Sequence, residues 1–208
     1  MIIHFVRHCE SIWNQDSRYA GHTNVPLSIN GIQQSNKLAS KIKIFSINYI
    51  LSSDLDRAVH TALPMSKELG IPISIEKGLR EVNFGSFEGL KQSDIVKKFP
   101  KIWDSYLQNP TTLKFPGGET IVESLDRSLD VLLKLLCQST KQQSIIVMHG
   151  TLIRVILSAA LGVELNKFKS SFSPLENGSI TSVKFPLIVN KDDFYGAGSL
   201  LSYNQVIF

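Results

Sequence analysis

Short apolar runs rich in β-branched residues alternate with helix-patterned segments along this chain, and that alternation leaves few possible folds. Ile2–Val6 reads as a buried strand that ends directly at Arg7-His8. A helix is expected from about Ser28 to Phe45, with Ile32, Leu38, Ile42 and Phe45 on its apolar face. Tyr49–Leu51 reads as a second strand, followed by Ser53-Asp54-Leu55-Asp56, an S-x-x-D pattern that starts a helix. Pro64 should kink or end that helix, because proline deletes a helical hydrogen bond and clashes with the turn before it. Ile71–Ile75 looks like a third strand, and residues 78–118 are irregular, with one or two short helices. Thr120-Ile121-Val122-Glu123 is a second capping pattern. It opens a helix with Ile121, Val122, Leu125, Leu129, Leu132, Leu133 and Leu136 on one stripe. Ser144–Met148 is a strongly β-type run closed by His149-Gly150, and a helical pattern from Thr151 to Leu161 follows. Two late β-type runs, Ser179–Phe185 and Leu200–Phe208, finish the chain.

This order predicts one α/β domain over residues 1–208: a mostly parallel central sheet, helices on both faces and an antiparallel edge strand. A length of 208 residues and a hydrophobic fraction of 43% suit a single domain with a substantial core. The net charge of +4 is thin and evenly spread, with 13 basic and 10 acidic residues in 1–104 and 9 and 8 in 105–208. Neither half is a basic arm, so nucleic acid is not an expected partner. The densest cluster, Lys97-Lys98-Phe99-Pro100-Lys101, reads as a solvated helix end. Cys9 and Cys137 lie 128 positions apart without metal-site spacing, which excludes a disulfide scaffold. No signal peptide is expected from Met1–His8, and no apolar run approaches the about 18–20 residues of a membrane span. A cytoplasmic protein, monomeric or homodimeric, is the simplest expectation.

Ligands of open parallel sheets bind at the carboxyl ends of the strands. His8 and His149 each end a predicted strand, and Arg7, Arg57 and Glu81 are expected at the same edge. Taken singly each has a plain structural explanation; Glu81, for instance, could pair with Arg80. Together they make a coherent phosphate site. A phosphoryl group in transfer spreads negative charge over three oxygens, so catalysis is mostly positioning and electrostatics. Arginine offers a planar, permanently charged fork for it. Neighbouring positive charge keeps a histidine nitrogen unprotonated for attack, and a carboxylic acid near the leaving oxygen completes the chemistry. The helices after Ser53 and Gly150 would point their positive ends at the same anion. No residue set with metal-ligand spacing is visible, and no cofactor is expected.

Val6-Arg7-His8-Cys9-Glu10-Ser11-Ile12-Trp13-Asn14 resembles the R-H-G-E-S/T-x-W-N signature of the histidine phosphatase superfamily, the phosphoglycerate mutase-like proteins. Gly21-His22-Thr23-Asn24-Val25-Pro26-Leu27-Ser28 resembles that family's G-x-x-D-x-P-L-S/T turn, and residues 52–62 match its S-S-D-L-x-R-A-x-x-T-A segment. Leu79-Arg80-Glu81 with residues 84–89, Pro116-Gly117-Gly118-Glu119-Thr120 and Val147-Met148-His149-Gly150 follow in family order. The resemblance implies a metal-independent phosphomonoesterase acting on a small phosphorylated metabolite. It implies His8 as the nucleophile that becomes phosphohistidine, with Arg7, Arg57 and His149 stabilising the transferring group. It implies Glu81 as proton donor and then base, and Asn14 and the Ala20-Gly21 backbone, with Gly150, as lining of the phosphate pocket.

Three positions depart from the pattern. Cys9 replaces a glycine; it is silent if the site needs only a small side chain, the reading taken here, and strained if it needs positive φ. A thiol beside arginines would also be expected to ionise and make activity oxidation-sensitive. Pro64 and Asn24, the latter in place of Asp, are the others. Mutases of this family carry an arginine pair between the segments of Glu81 and His149, whereas residues 82–148 hold Arg127 alone. A phosphatase resembling α-ribazole or broad-specificity phosphatases is therefore favoured. A mutase with a second anion subsite among Lys91, Lys97, Lys98, Lys101 and Lys114, or an inactive phospho-ligand binding module, are the alternatives. Substrate-facing residues are expected from 82–118.

Overall fold

The computed structural model describes residues 1–137, 142–188 and 190–208. The β-type runs form one sheet of β1 (Ile2–Arg7), β2 (Tyr49–Ser52), β3 (Ile73–Ile75), β4 (Gln143–Met148), β5 (Ile180–Lys184) and β6 (Ser199–Gln205), in the order β3-β2-β4-β1-β5-β6. The first four strands run parallel. β5 runs against β1 and β6 against β5, so the late strands without an intervening helix form the antiparallel side. The helices are α1 (Ile12–Gln15), α2 (Ile29–Lys41), α3 (Asp56–Leu69), α4 (Gln92–Lys98), α5 (Pro100–Gln108), α6 (Ile121–Leu136), α7 (Gly150–Ala160) and α8 (Phe168–Ser171).

The pleat of the central strands sorts their side chains into two cores, because successive residues point to opposite faces. Ile3, Phe5, Ile146 and Met148 pack with Leu129 of α6 and Ile156 of α7. Val6, Ile50, Ile145 and Val147 pack on the other face with Leu38 of α2 and Ala62 of α3. This is the two-faced α/β domain that the alternation of patterns predicts. No helix among the described residues is long and apolar enough to cross a membrane.

Helix starts and stops show where local pattern governs and where it yields. On α6 the Thr120 hydroxyl accepts from the Glu123 N–H at 3.0 Å, and the Glu123 carboxylate accepts from the Thr120 N–H at 2.7 Å. Ile121, Leu125, Leu129, Leu132 and Leu136 are buried as expected, each contributing about 1.5–3 kcal/mol. Val122 is exposed and Leu133 only half-buried, since Val131 and Leu135 occupy the sheet-facing side instead. α2 is capped by Ser28 and ends at Lys41, tightening into a 3-10 turn over Ile42–Ile44. Ile32 is 52% exposed, contrary to expectation. The contact side of α2 runs through Gly31, where a Cβ would stand 1.9 Å from the Glu10 carbonyl oxygen.

α3 departs more. Ser53 does not cap it; Leu55 is the capping residue, and the Asp56 N–H donates to Asn24 Oδ1 at 2.8 Å. A side chain from a distant loop thus satisfies the first helical donor. Pro64 lies inside the helix, which continues to Leu69 and closes at Gly70 with φ 68°. The carbonyl deprived of a partner belongs to His60, which is exposed to water.

The capping box on α6 yields a stability prediction. Thr120→Ala is expected to lower unfolding free energy by about 1 kcal/mol, read as a lower urea midpoint at unchanged slope. An unchanged midpoint would show that the box contributes nothing.

Candidate active site

The strand register brings the two histidines together. Arg7 pairs with Met148, so the next residues, His8 and His149, leave β1 and β4 side by side. Their ring centroids are 5.2 Å apart, and the His8 N–H donates to the Met148 carbonyl at 2.9 Å. Just past the end of β2, the Ser53 N–H donates to the Val147 carbonyl at 3.0 Å. Ser53 Oγ then stands 2.9 Å from His149 Nε2. The residue whose spacing suggested a helix cap holds a histidine instead.

His8 is buried, with Nδ1 2.7 Å from the Cys9 carbonyl oxygen. A carbonyl only accepts, so Nδ1 carries the hydrogen and Nε2 keeps its lone pair. Burial, then the charges of Arg57 and Arg7, hold His8 well below the ordinary imidazole range. Burial, then Arg57 and His8, do the same to His149.

Arg57, the second residue of α3, is fully buried and donates to the Thr23 carbonyl at 2.9 Å and the Gly21 carbonyl at 2.7 Å. Burial pushes its pKa down to about 10. Arg7 donates to the Leu175 carbonyl and lies against Gly150, where a Cβ would stand 3.2 Å from Arg7 Nε. Arg7 Nε, Arg57 Nε and His149 Nδ1 are buried without a hydrogen-bond partner. Such orphans are exceptional and cost about 1–3 kcal/mol each, so three together mark a place built for a polar ligand.

The loop through Ala20 and Gly21 is pinned from behind by Glu88, whose carboxylate accepts from the His22 N–H at 2.9 Å and the Thr23 N–H at 2.7 Å. Gly21 has φ 44°, and a Cβ there would stand 1.9 Å from Glu88 Oε1, so glycine is required. Asn14 Oδ1 accepts from Ser11 and from Asn177 Nδ2. Its own amide nitrogen remains for the cavity that Asn14 lines.

Glu81 is buried and accepts from the backbone N–H groups of Val82 at 3.0 Å, Thr151 at 3.0 Å and Leu152 at 2.9 Å. The positive end of α7 therefore holds Glu81, where the sequence suggested an incoming anion. Arg80 is not its partner; Arg80 forks onto Asp54 at 2.7 and 2.6 Å. Arg127 clamps the Glu81 segment by donating to the carbonyls of Gly78, Arg80 and Glu81 and to the Glu119 carboxylate.

A cavity of about 280 Å³ opens on this cluster. Arg7, His8, Arg57 and Glu81 are on its wall, as are Asn14, Ala20, Gly21 and Gly150; His149 is buried beside His8. Of the irregular segment 82–118, Phe84 and Tyr106 reach the cavity. Ser17, Arg18, Tyr19, Thr151, Arg154, Lys169, Pro174 and Leu175, none of them expected from the sequence, also line it. Arg154 was findable, one helical turn after Gly150; Lys169 on the short α8 left no signal. Lys91, Lys97, Lys98, Lys101 and Lys114 are exposed and off the wall. Among the described residues, no group of three or more His, Cys, Asp or Glu could hold a metal ion.

Cys9 is not among the residues with positive φ, which agrees with the silent reading of that substitution. The expectation of a reactive thiolate is corrected. Cys9 is fully buried, and burial pushes its thiol up to about 12, outweighing the opposing hydrogen bond with Thr61.

A mostly parallel sheet with two arginines and two buried histidines at its strand ends defines an anion-handling α/β domain. The sequence profile of the histidine phosphatase superfamily (branch 1) matches residues 3–187, and the chain belongs to that family. It is 30% identical over 165 residues to phosphoserine phosphatase 1 of Hydrogenobacter thermophilus, covering 79% of this chain and 78% of that protein. It is 32% identical over 162 residues to a probable phosphoglycerate mutase, GpmB, of Salmonella choleraesuis, covering 77% and 75%. Among solved structures, a mycobacterial glucosyl-3-phosphoglycerate phosphatase superposes with a TM-score of 0.86 at 23% identity, over 98% of both chains. The α-ribazole phosphatase of Shigella flexneri gives 0.83 at 22% identity, over 99% of this chain and 96% of that one. At these identities the two structures attest the fold.

The Ser53–His149 bond is testable. Ser53→Ala is expected to lower phosphomonoester turnover about tenfold, as a hydrogen bond of about 1–1.5 kcal/mol no longer orients His149, with the circular-dichroism helix signal retained. Unchanged turnover would show that Ser53 does not orient it.

Proposed function

We propose that this protein hydrolyses small phosphomonoesters through a phosphohistidine at His8. The observation that carries the proposal is the state of His8. Its Nδ1–H is committed to the Cys9 carbonyl, and its Nε2 is an unprotonated nucleophile between two arginines. The orphaned nitrogens Arg7 Nε, Arg57 Nε and His149 Nδ1 are the groups a phosphoryl unit would satisfy.

In the first step Nε2 attacks phosphorus and the bond to the leaving oxygen breaks. Glu81, in its acid form, gives that oxygen a proton, and Arg7 and Arg57 carry the charge on the equatorial oxygens. In the second step the Glu81 carboxylate takes a proton from water, whose oxygen attacks phosphorus and releases His8 and inorganic phosphate. The three backbone donors on Glu81 and the Arg127 clamp behind it fix where its oxygens stand. Positive charge comes from guanidinium groups, so the reaction is proposed to be metal-independent. A cytoplasmic setting and a small phosphorylated substrate, without nucleic acid or membrane, belong to the same proposal; both cysteines are free thiols.

The mutase reading is kept because a probable mutase is among the relatives. Brief incubation with a labelled phosphomonoester separates the readings. Hydrolysis predicts acid-labile, base-stable label on His8 that leaves as inorganic phosphate, at a rate unchanged by EDTA. Transfer to a monophosphoglycerate instead of water would establish the mutase. No label and no turnover across a phosphomonoester panel would leave a binding module, and loss of activity with EDTA would contradict the arginine-based mechanism.

A further inference from the structure

The phosphate end of the cavity accounts for Arg7 and Arg57, whose two charges match one phosphoryl dianion. The wall holds three further cations. Arg18 is already engaged, by Asp16 at 3.1 Å and the Gly89 carbonyl at 2.7 Å. Arg154 and Lys169 are not: neither has a carboxylate within ion-pair distance among the described residues. Among the described residues the one carboxylate on the wall, Glu81, is already held by three backbone donors.

These two cations are placed together. Arg154 folds back along α7, its Nε 3.4 Å from the Gly150 carbonyl, with only one other long bond, 3.5 Å to the Phe172 carbonyl. Its guanidinium lies 5.6 Å from the Phe168 ring centroid. Lys169 Nζ sits 3.1 Å from the ring centroid of buried Tyr106 and 5.9 Å from that of Trp103. The aromatic rings hold the ammonium in place by cation–π attraction without neutralising it. Burial, then the nearby charge of Arg154, pushes the Lys169 pKa down to about 7, the mark of a cation lacking a counter-ion.

We infer that Arg154 and Lys169 form a second anion subsite, so that the substrate is a small phosphomonoester bearing another negatively charged group. This rests on the phosphatase reading above. Gly150 touches Arg7 at one end of the cavity and carries Arg154 one turn further on. Because Arg154 folds back to within 3.4 Å of the carbonyl of that same Gly150, one small molecule can reach both anion sites. A cavity of about 280 Å³ is of the right scale for such a metabolite and small for a nucleotide. The family-wide phosphate site does not need these residues, and the lysines between 91 and 114 that the sequence offered for the role lie elsewhere.

Matched substrates test this. 3-Phosphoglycerate and glycerol 3-phosphate differ by a carboxylate against a hydroxymethyl group; propane-1,3-diol bisphosphate and propyl phosphate differ by a second phosphate. The wild type is expected to prefer the doubly anionic member of at least one pair by about tenfold or more in kcat/KM, the pair showing which anion is read. Arg154→Gln and Lys169→Met are expected to bring that ratio toward 1, while Lys167→Met, an exposed neighbour paired with Glu164, keeps it. A ratio near 1 for both pairs in the wild type would overturn the inference. So would a loss in Arg154→Gln that strikes both members equally, the signature of a merely structural arginine. Calorimetry on His8→Ala with the same pairs separates the two readings. Preferential binding of the double anion without any wild-type hydrolysis keeps the subsite and removes the phosphatase; hydrolysis with no such preference does the reverse.

Discussion

A fully buried guanidinium group, a half-buried one and two buried imidazoles stand together where β1 and β4 end, and the rest of the site depends on how that cluster is made tolerable. Buried cations are costly unless paired. Here the two histidines give up their protons, and the arginines are held by carbonyls of Gly21, Thr23 and Leu175 with no carboxylate forked onto them. A carboxylate partner would neutralise the charge that a phosphoryl group needs. Carbonyl partners position the guanidinium groups and leave their charge available. The Nε atoms left over are the residual demand, which a tetrahedral anion meets.

The acid is managed differently. Glu81 could have satisfied either arginine, yet it is tied to the first N–H groups of α7 and braced through its backbone by Arg127. The carboxyl group is thus kept in the same cavity as the arginines without collapsing onto either of them. Glu119 anchors Arg127, and Asp54 takes Arg80 out of contention. The acidic residues around the cavity divide the arginines between structural and chemical work.

Much of this was legible in the sequence, for physical reasons that also mark the limit. Periodicity located the strands because the central sheet is buried on both faces, and strand ends located His8 and His149. The histidine itself carried no information: His4, four residues earlier, is satisfied by Ser182 and Gln143 inside the sheet. Local spacing failed where a tertiary partner outbid it. Ser53 fits a helix cap, but His149 takes its hydroxyl, and Asn24 caps α3 from another loop. Cys9 looked like a thiolate from its charged neighbours, because burial cannot be read from sequence neighbours alone. Lys169 was invisible: nothing in a four-residue helix predicts that a lysine will lie on a buried tyrosine.

All of this chemistry requires a neutral His8, with its hydrogen on Nδ1 and its lone pair on Nε2. Nitrogen-15 NMR of the imidazole in the ligand-free protein measures both. A protonated Nδ1, a bare Nε2 and no protonation as the pH falls from 7 through the ordinary histidine pKa of about 6.5 are expected. An imidazolium in that range, or a neutral ring with its hydrogen on Nε2, would contradict it.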